Sequence, residues 1–218
     1  MQLVIADKNY STWSMRPWLL LTAYDVAFEE ILESLEPDET LRQRLLQHSP
    51  SARVPVLLDG DLCVWDSLAI CEYISEHYLN GRGYPQDAKC RAQARAVVAE
   101  MHSGFSALRA ALPMNCRARR KLPLTAAVLA DIQRIDEIWS HYPQQNSTDF
   151  LFGDFSIADC FYAPVAMRFL TYADIPLSEK AQQYWQRLCV HPAVVAWQQA
   201  ALCETSIVHK DEAGEEIK

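Results

Sequence analysis

The chain has 218 residues, 50% of them hydrophobic and 22% charged, with a formal net charge of −8. That balance suits a globular protein with one large core or two small ones, and it excludes a general nucleic-acid binder, whose phosphate contacts need clustered positive charge. The longest apolar runs, such as Trp18 to Leu21, fall far short of the ~20 residues of a membrane helix, so no membrane partner is expected. Residues 1–6, MQLVIA, lack the basic region and cleavage site of an export signal, and a cytoplasmic location is expected. The seven cysteines are scattered, with no C-x-x-C and no Cys/His spacing suited to zinc, which reads as buried reduced thiols and no metal.

In chain order, QLVIA is a short β-rich run, followed by a loop and by the apolar helix that opens within NYSTWSMRPWLLL. Pro17 is expected in the first helical turn, where its missing N–H costs little, and Ser14 fits the N-cap. AFEEILESLE, residues 27–36, is ambiguous, because Phe28, Ile31, Leu32 and Leu35 have helical spacing. VPVLLDGDLCVW carries two β-rich runs around Asp59-Gly60-Asp61, a hairpin signal. DSLAICEYISEHY sets Ile70, Tyr73, Ile74 and His77 on one helical face, with Asp66 or Ser67 as N-cap.

The turn formers of NGRGYPQD then break the pattern. Residues 1–80 read as one mixed domain, 81–87 as a linker, 88–208 as an all-helical domain and the polar 209–218 as a frayed tail. In the helical half, residues 88–112 form one amphipathic run with Met101, Phe105, Leu108 and Leu112 at near-helical spacing. Val128, Ile132, Ile135 and Trp139 make one buried stripe. Ser156-x-x-Asp159 resembles a capping box opening a helix that is apolar nearly all round, and Pro192 marks a further helix start.

Three pieces in this order, YSTWSMRPW, SPSARVPVLLDGDLCVWDSLAICEYI and GDFSIADCFYAPV, resemble the glutathione transferase family along nearly the whole chain. The resemblance implies an α/β thioredoxin-like N-terminal domain followed by an all-α helical C-terminal domain, makes 27–36 a strand, and gives the order β-α-β-(α)-β-β-α. It implies glutathione as co-substrate, a small-molecule electrophile as second substrate, and a homodimer. It makes Ser11 the catalytic hydroxyl, with Ser14 in reserve and Tyr10, adjacent, still open. It makes Pro55 a cis-proline that exposes the backbone of Val54 to the tripeptide, sets Arg53 against the glycyl carboxylate, and gives Asp66 and Ser67 the γ-glutamyl end. The chemistry is coherent: a thiol near pKa 8.5 is mostly protonated at neutral pH, and a hydroxyl at the positive end of a helix favours the anion.

For the electrophile the resemblance points to the first long helix of the second domain, where His102 and Arg109 suit a substrate with a carboxylate or a group needing a proton. The basic run Arg117, Arg119, Arg120 and Lys121 either draws an acidic substrate to the cleft or complements the end of the preceding helix. A serine hydroxyl suits conjugation, isomerisation or peroxide reduction. Two rivals stand beside this enzyme: a glutathione-binding or regulatory module of the same fold with little turnover, and a carrier of apolar compounds.

Overall fold

The structure is a computed structural model that describes residues 1–35, 39–142 and 150–217. Gln2–Ala6 (β1) pairs in parallel with Glu29–Glu33 (β2) and antiparallel with Val56–Asp59 (β3), which turns through Gly60 and Asp61 into Leu62–Trp65 (β4). The sheet order is β2-β1-β3-β4, with Val4 opposite both Ile31 and Val56. Gly60, at φ +59, supplies the left-handed residue that this two-residue turn demands. The ambiguous segment is thus a strand over Glu29–Glu33, because parallel pairing with β1 overrides its helical spacing; its last residue, Glu36, lies outside the described residues.

Thr12–Ala23 (α1) crosses from β1 to β2, Leu41–His48 (α2) leads to β3, and Ser67–His77 (α3) follows the hairpin. Of the predicted α3 face, Ile70 and Ile74 are buried, Tyr73 is half-buried and His77 is exposed. Because α1 begins at Thr12, Pro17 lies in its second turn and not its first, and the Trp13 carbonyl loses its intrahelical donor. Ser11, not Ser14, is the N-cap residue by backbone position.

The helical half runs Ala88–Ser103 (α4), Ser106–Ala111 (α5), Ala126–His141 (α6), Ile157–Thr171 (α7), Glu179–Cys189 (α8) and Pro192–Leu202 (α9). α1 packs against α3, α7 and α9, so it is buried on nearly every side and carries apolar residues all round. α7 is buried along almost its whole length, opened by the predicted capping box of Ser156 and Asp159. The α6 stripe Val128, Ile132, Ile135 and Trp139 is buried as expected.

Two expectations fail here. The run 88–112 is not one helix: α4 stops at Gly104, and Phe105 takes a left-handed φ of +59 before α5. A Cβ on Gly104 would lie 2.8 Å from the Glu100 carbonyl oxygen, so the break requires glycine. Gly104→Ala is expected to cost about 1–3 kcal/mol, read as a lower urea midpoint with unchanged slope. The tail is not frayed either. His209–Asp211 forms a short 3₁₀ turn, Glu215–Glu216 pairs with Arg120–Lys121 as a two-stranded ribbon, and Ile217 N donates to the Arg119 carbonyl at 3.0 Å. The seven cysteines are free thiols, but only Cys71, Cys116 and Cys160 are buried, while Cys90 and Cys203 are exposed.

Candidate active site

A cavity of about 870 Å³ opens where the two halves meet. Its walls come from the loop and first turn of α1 (Tyr10, Ser11, Thr12, Trp13), the approach to β3 (Arg53, Val54, Pro55), the start of α3 (Asp66, Ser67), and, from the helical half, Arg109, Pro113, Met114, Arg168, Lys210 and Asp211. Seven of the nine residues singled out from the sequence therefore share one space; Ser14 and His102 are not on its wall.

The loop carrying Ser11 is held by the helical half. Lys8 N and Asn9 N donate to Glu204 at 2.7 and 2.9 Å, Trp197 Nε1 donates to the Lys8 carbonyl at 3.0 Å, and the buried side chain of Asn9 donates to Asn115 and accepts from Arg117 N. Ser206 Oγ donates to Asp7 at 2.6 Å from the same side. Ser11 is 5% exposed, makes no side-chain cap, and donates to Ser14 Oγ at 2.7 Å. Ser14 is 0% exposed and also accepts from Ala6 N at 3.1 Å, so it ties α1 to β1. Tyr10 reaches the wall with its hydroxyl committed: it donates to Glu212 at 2.5 Å and accepts from Arg117 at 3.1 Å, and burial together with Glu212 raises its pKa.

Asp66 takes a φ of +76 as N-cap of α3, and its Oδ1 accepts from Leu68 N and Ala69 N at 2.8 and 3.4 Å. The Leu68 and Ala69 amides are thus occupied by Asp66 itself, while the Ser67 hydroxyl keeps its proton to donate at this helix start. Ser67 Oγ accepts from Arg16 NH1 at 3.1 Å. Val54-Pro55 is a cis peptide, and both residues precede β3, outside its ladder with β1. Arg53 beside them is exposed.

Arg16 is the residue the sequence reading passed over. Buried in α1, it bridges to Ser67, stacks at 4.1 Å over Trp13 and 4.4 Å over Phe161, and leaves its Nε without a hydrogen-bond partner. Burial, and next the nearby Arg109, depress its pKa. His102 is not among the residues that line the cavity. With α4 ending before Arg109, the two no longer lie on one helix: His102 Nε2 lies 3.3 Å from Asp66 Oδ2, and Nδ1 lies 3.5 Å from Arg16 NH1. Burial lowers its pKa, and a neutral ring protonated on Nε2 satisfies both neighbours, donating to Asp66 and accepting from Arg16. The basic run is also reassigned. Arg117 donates to the Glu204 and Ser206 carbonyls beyond α9, Arg120 pairs with Glu212, and Lys121 pairs with Asp174 at 2.6 Å, so three of these cations fasten the tail and its surroundings.

Lone arginines inside apolar helical runs were the available signal for buried charge here: Arg168 in APVAMRFL, which lines the cavity, and Arg16 in SMRPWLLL, which bonds to the lining residue Ser67. Lys210 and Asp211 carried no such signal, since only tertiary docking of the tail brings them to the wall. Among the described residues no group of three or more His, Cys, Asp or Glu is placed to hold a metal ion, and no helix is long and apolar enough to cross a membrane.

A thioredoxin-like sheet with a cis-proline before its hairpin, a hydroxyl at the mouth of α1 and a helical half closing one cavity define the two-part, thioredoxin-like class of proteins. The description "Glutathione S-transferase, N-terminal domain" matches residues 4–76, and "Glutathione S-transferase, C-terminal domain" matches residues 91–200. The chain belongs to the glutathione S-transferase family. It is similar to a stringent starvation protein A homolog of Haemophilus ducreyi, 22% identical over 165 residues, covering 76% of this chain and 73% of that one. A match to a stringent starvation protein A homolog of Pasteurella multocida spans 66% of that protein's length, and one to glutathione S-transferase T2 of Arabidopsis thaliana spans 14%. Its fold matches a glutathione transferase homolog from Burkholderia with bound glutathione (TM-score 0.70, 23% identity, 92% of this chain and 97% of that one). It also matches maleyl pyruvate isomerase, a bacterial Zeta-class protein (TM-score 0.70, 22% identity, 94% and 100%).

Proposed function

We propose that the protein is a glutathione-dependent transferase that ionises the glutathione thiol beside Ser11 and delivers the thiolate to a small electrophile. The observation that carries this reading is the Ser11 hydroxyl at the start of α1, on the wall of the same cavity as Arg53, Val54, Pro55, Asp66 and Ser67. In this reading the Ser11 O–H turns from Ser14 to the sulfur. One charge-assisted hydrogen bond of about 1.5–3 kcal/mol, with the helix dipole, lowers a thiol pKa by roughly one to two units. The γ-glutamyl ammonium pairs with Asp66, and its carboxylate receives the Ser67 hydroxyl, whose oxygen already accepts from Arg16. Arg53 meets the glycyl carboxylate, and Val54 offers its backbone to the peptide.

The thiol proton passes to solvent and a sulfur lone pair forms the S–C bond. The displaced electron pair then leaves with a leaving group or becomes a carbanion that takes up a proton. Conjugation ends there; in isomerisation the carbanion, after rotation about the new single bond, expels the sulfur again, so the S–C bond breaks and the thiolate is regenerated. Homodimerisation and a cytoplasmic location belong to the same reading, drawn from the family.

Thiolate ultraviolet absorbance of the glutathione complex, titrated with pH, tests it. Half-ionisation is expected one to two units below the free thiol, near roughly 7. An unshifted thiol sinks the catalytic role, and bound glutathione without turnover on any electrophile leaves the binding-module reading instead. Arg16→Met separates binding from stability. It removes a buried charge that forms no ion pair among the described residues, so stability should hold or rise by about 0–2 kcal/mol, while glutathione affinity falls about tenfold. Thermal unfolding and calorimetric titration of the two proteins decide it.

A further inference from the structure

The part of the cavity wall supplied by the helical half is unusual for a pocket meant for an apolar compound. Only Pro113 and Met114 are apolar there, while Arg109, Arg168 and Lys210 bring three cations against the single carboxylate of Asp211. Arg168 is 6% exposed and sits in the last turn of the buried helix α7. Its hydrogen bonds among the described residues run from NH1 alone, to the carbonyls of Leu112 and Arg109. Arg109 donates from Nε to the Gly104 carbonyl at 2.9 Å and from NH2 to Met101, and so also meets only neutral acceptors.

No ion pair among the described residues includes Arg109, Arg168, Lys210 or Asp211; the pairs formed lie elsewhere. A guanidinium taken out of water without an anionic partner is costly, and a site that keeps two side by side gains from any ligand that brings the missing charge. The proposed glutathione site leaves these cations unclaimed, because its two carboxylates are assigned to Ser67 and Arg53.

We propose that the second substrate is a carboxylate-bearing electrophile, its carboxylate received by Arg168 and Arg109 with Lys210 at the mouth of the cavity. The planar fork of a guanidinium matches a carboxylate in two-point contact, and neither Pro113 nor Met114 competes for it. The inference rests on the glutathione reading, since it concerns what that thiolate attacks. It makes Arg168 and Arg109 the residues that set specificity and leaves the ionisation of the thiol to Ser11.

A product-analogue pair tests it with the protein as it stands. S-benzylglutathione and its 2-, 3- and 4-carboxybenzyl counterparts carry the same tripeptide, so its contacts cancel in the comparison and only the added carboxylate differs. By calorimetric titration at one ionic strength, the best carboxybenzyl isomer is expected to bind at least tenfold more tightly than S-benzylglutathione. That gap should close in Arg168→Met and Arg109→Gln. It should shrink severalfold in Lys210→Gln, a substitution on the exposed tail that leaves the buried helices untouched. Equal affinity of all four compounds for the wild-type protein overturns the inference and leaves the glutathione reading standing. A gap that survives in all three variants overturns it as well. Failure of every compound to bind, S-benzylglutathione included, overturns the glutathione reading and this inference with it.

Discussion

Ser11→Ala is expected to lower glutathione turnover at neutral pH by about 10- to 100-fold while leaving affinity for the tripeptide within a few-fold of wild type. The magnitude follows from a charge-assisted hydrogen bond of about 1.5–3 kcal/mol, each 1.4 kcal/mol being a factor of ten. Ser14 cannot take over, because it is fully buried and its oxygen serves Ala6 N. Nor is Tyr10 free, with its hydroxyl held between Glu212 and Arg117. Helix α1 should survive the change, since Ser11 makes no side-chain cap and loses only its bond to Ser14, worth about 1 kcal/mol. The pH profile separates an electrostatic role from a structural one. Under the proposed role the wild-type hydroxyl favours the thiolate, so the thiol pKa is low and kcat/KM reaches its plateau early. In the variant the inflection moves up by roughly one to two units, and the two rates converge once the pH is high enough to ionise the thiol unaided. Equal inflections in the two proteins would remove Ser11 from the chemistry.

The order of elements was legible because it is written in short-range signals: a glycine turn at Asp59-Gly60-Asp61, apolar stripes, Pro192 at a helix start and Ser156-x-x-Asp159. Ser11 by α1 and Asp66-Ser67 by α3, which the family resemblance singles out beside those signals, do line one cavity. What depended on long-range packing was not legible. Spacing alone joined Met101 to Leu112 across Gly104, since a periodicity argument does not register a close approach to the Glu100 carbonyl. His102 and Arg109 were therefore paired on one face, whereas the structure sends His102 to Asp66 and Arg109 to the cavity. A polar tail reads as frayed until Glu212 is seen to accept from Tyr10 and Asn115, contacts that span 202 and 97 residues.

The largest loss of stability is expected at Asp159, which does not line the cavity. Its carboxylate is fully buried and accepts four hydrogen bonds, from Leu151 N at 3.0 Å, Ser156 N and Oγ at 2.9 Å each, and Tyr184 Oη at 2.9 Å. Asp159→Ala strands all of these donors in the core and should cost about 3 kcal/mol or more at neutral pH. Asp159→Asn should cost less, about 2 kcal/mol. Its Oδ1 still serves Leu151 and Tyr184, but its amide nitrogen, a donor, faces the Ser156 N–H, which is also a donor. Burial nevertheless outweighs these bonds in the titration and pushes the Asp159 carboxyl up from 3.8 to about 6. Between those pH values the folded protein keeps a proton that the unfolded chain has released, so this group's contribution is full below pH 3.8 and declines as pH rises to about 6. The difference in unfolding free energy between wild type and Asp159→Ala should accordingly narrow across that window, by on the order of 3 kcal/mol. Urea titrations of both proteins at its two ends measure it directly. A gap that widens as pH rises would mean that the four donors, and not burial, govern the carboxylate.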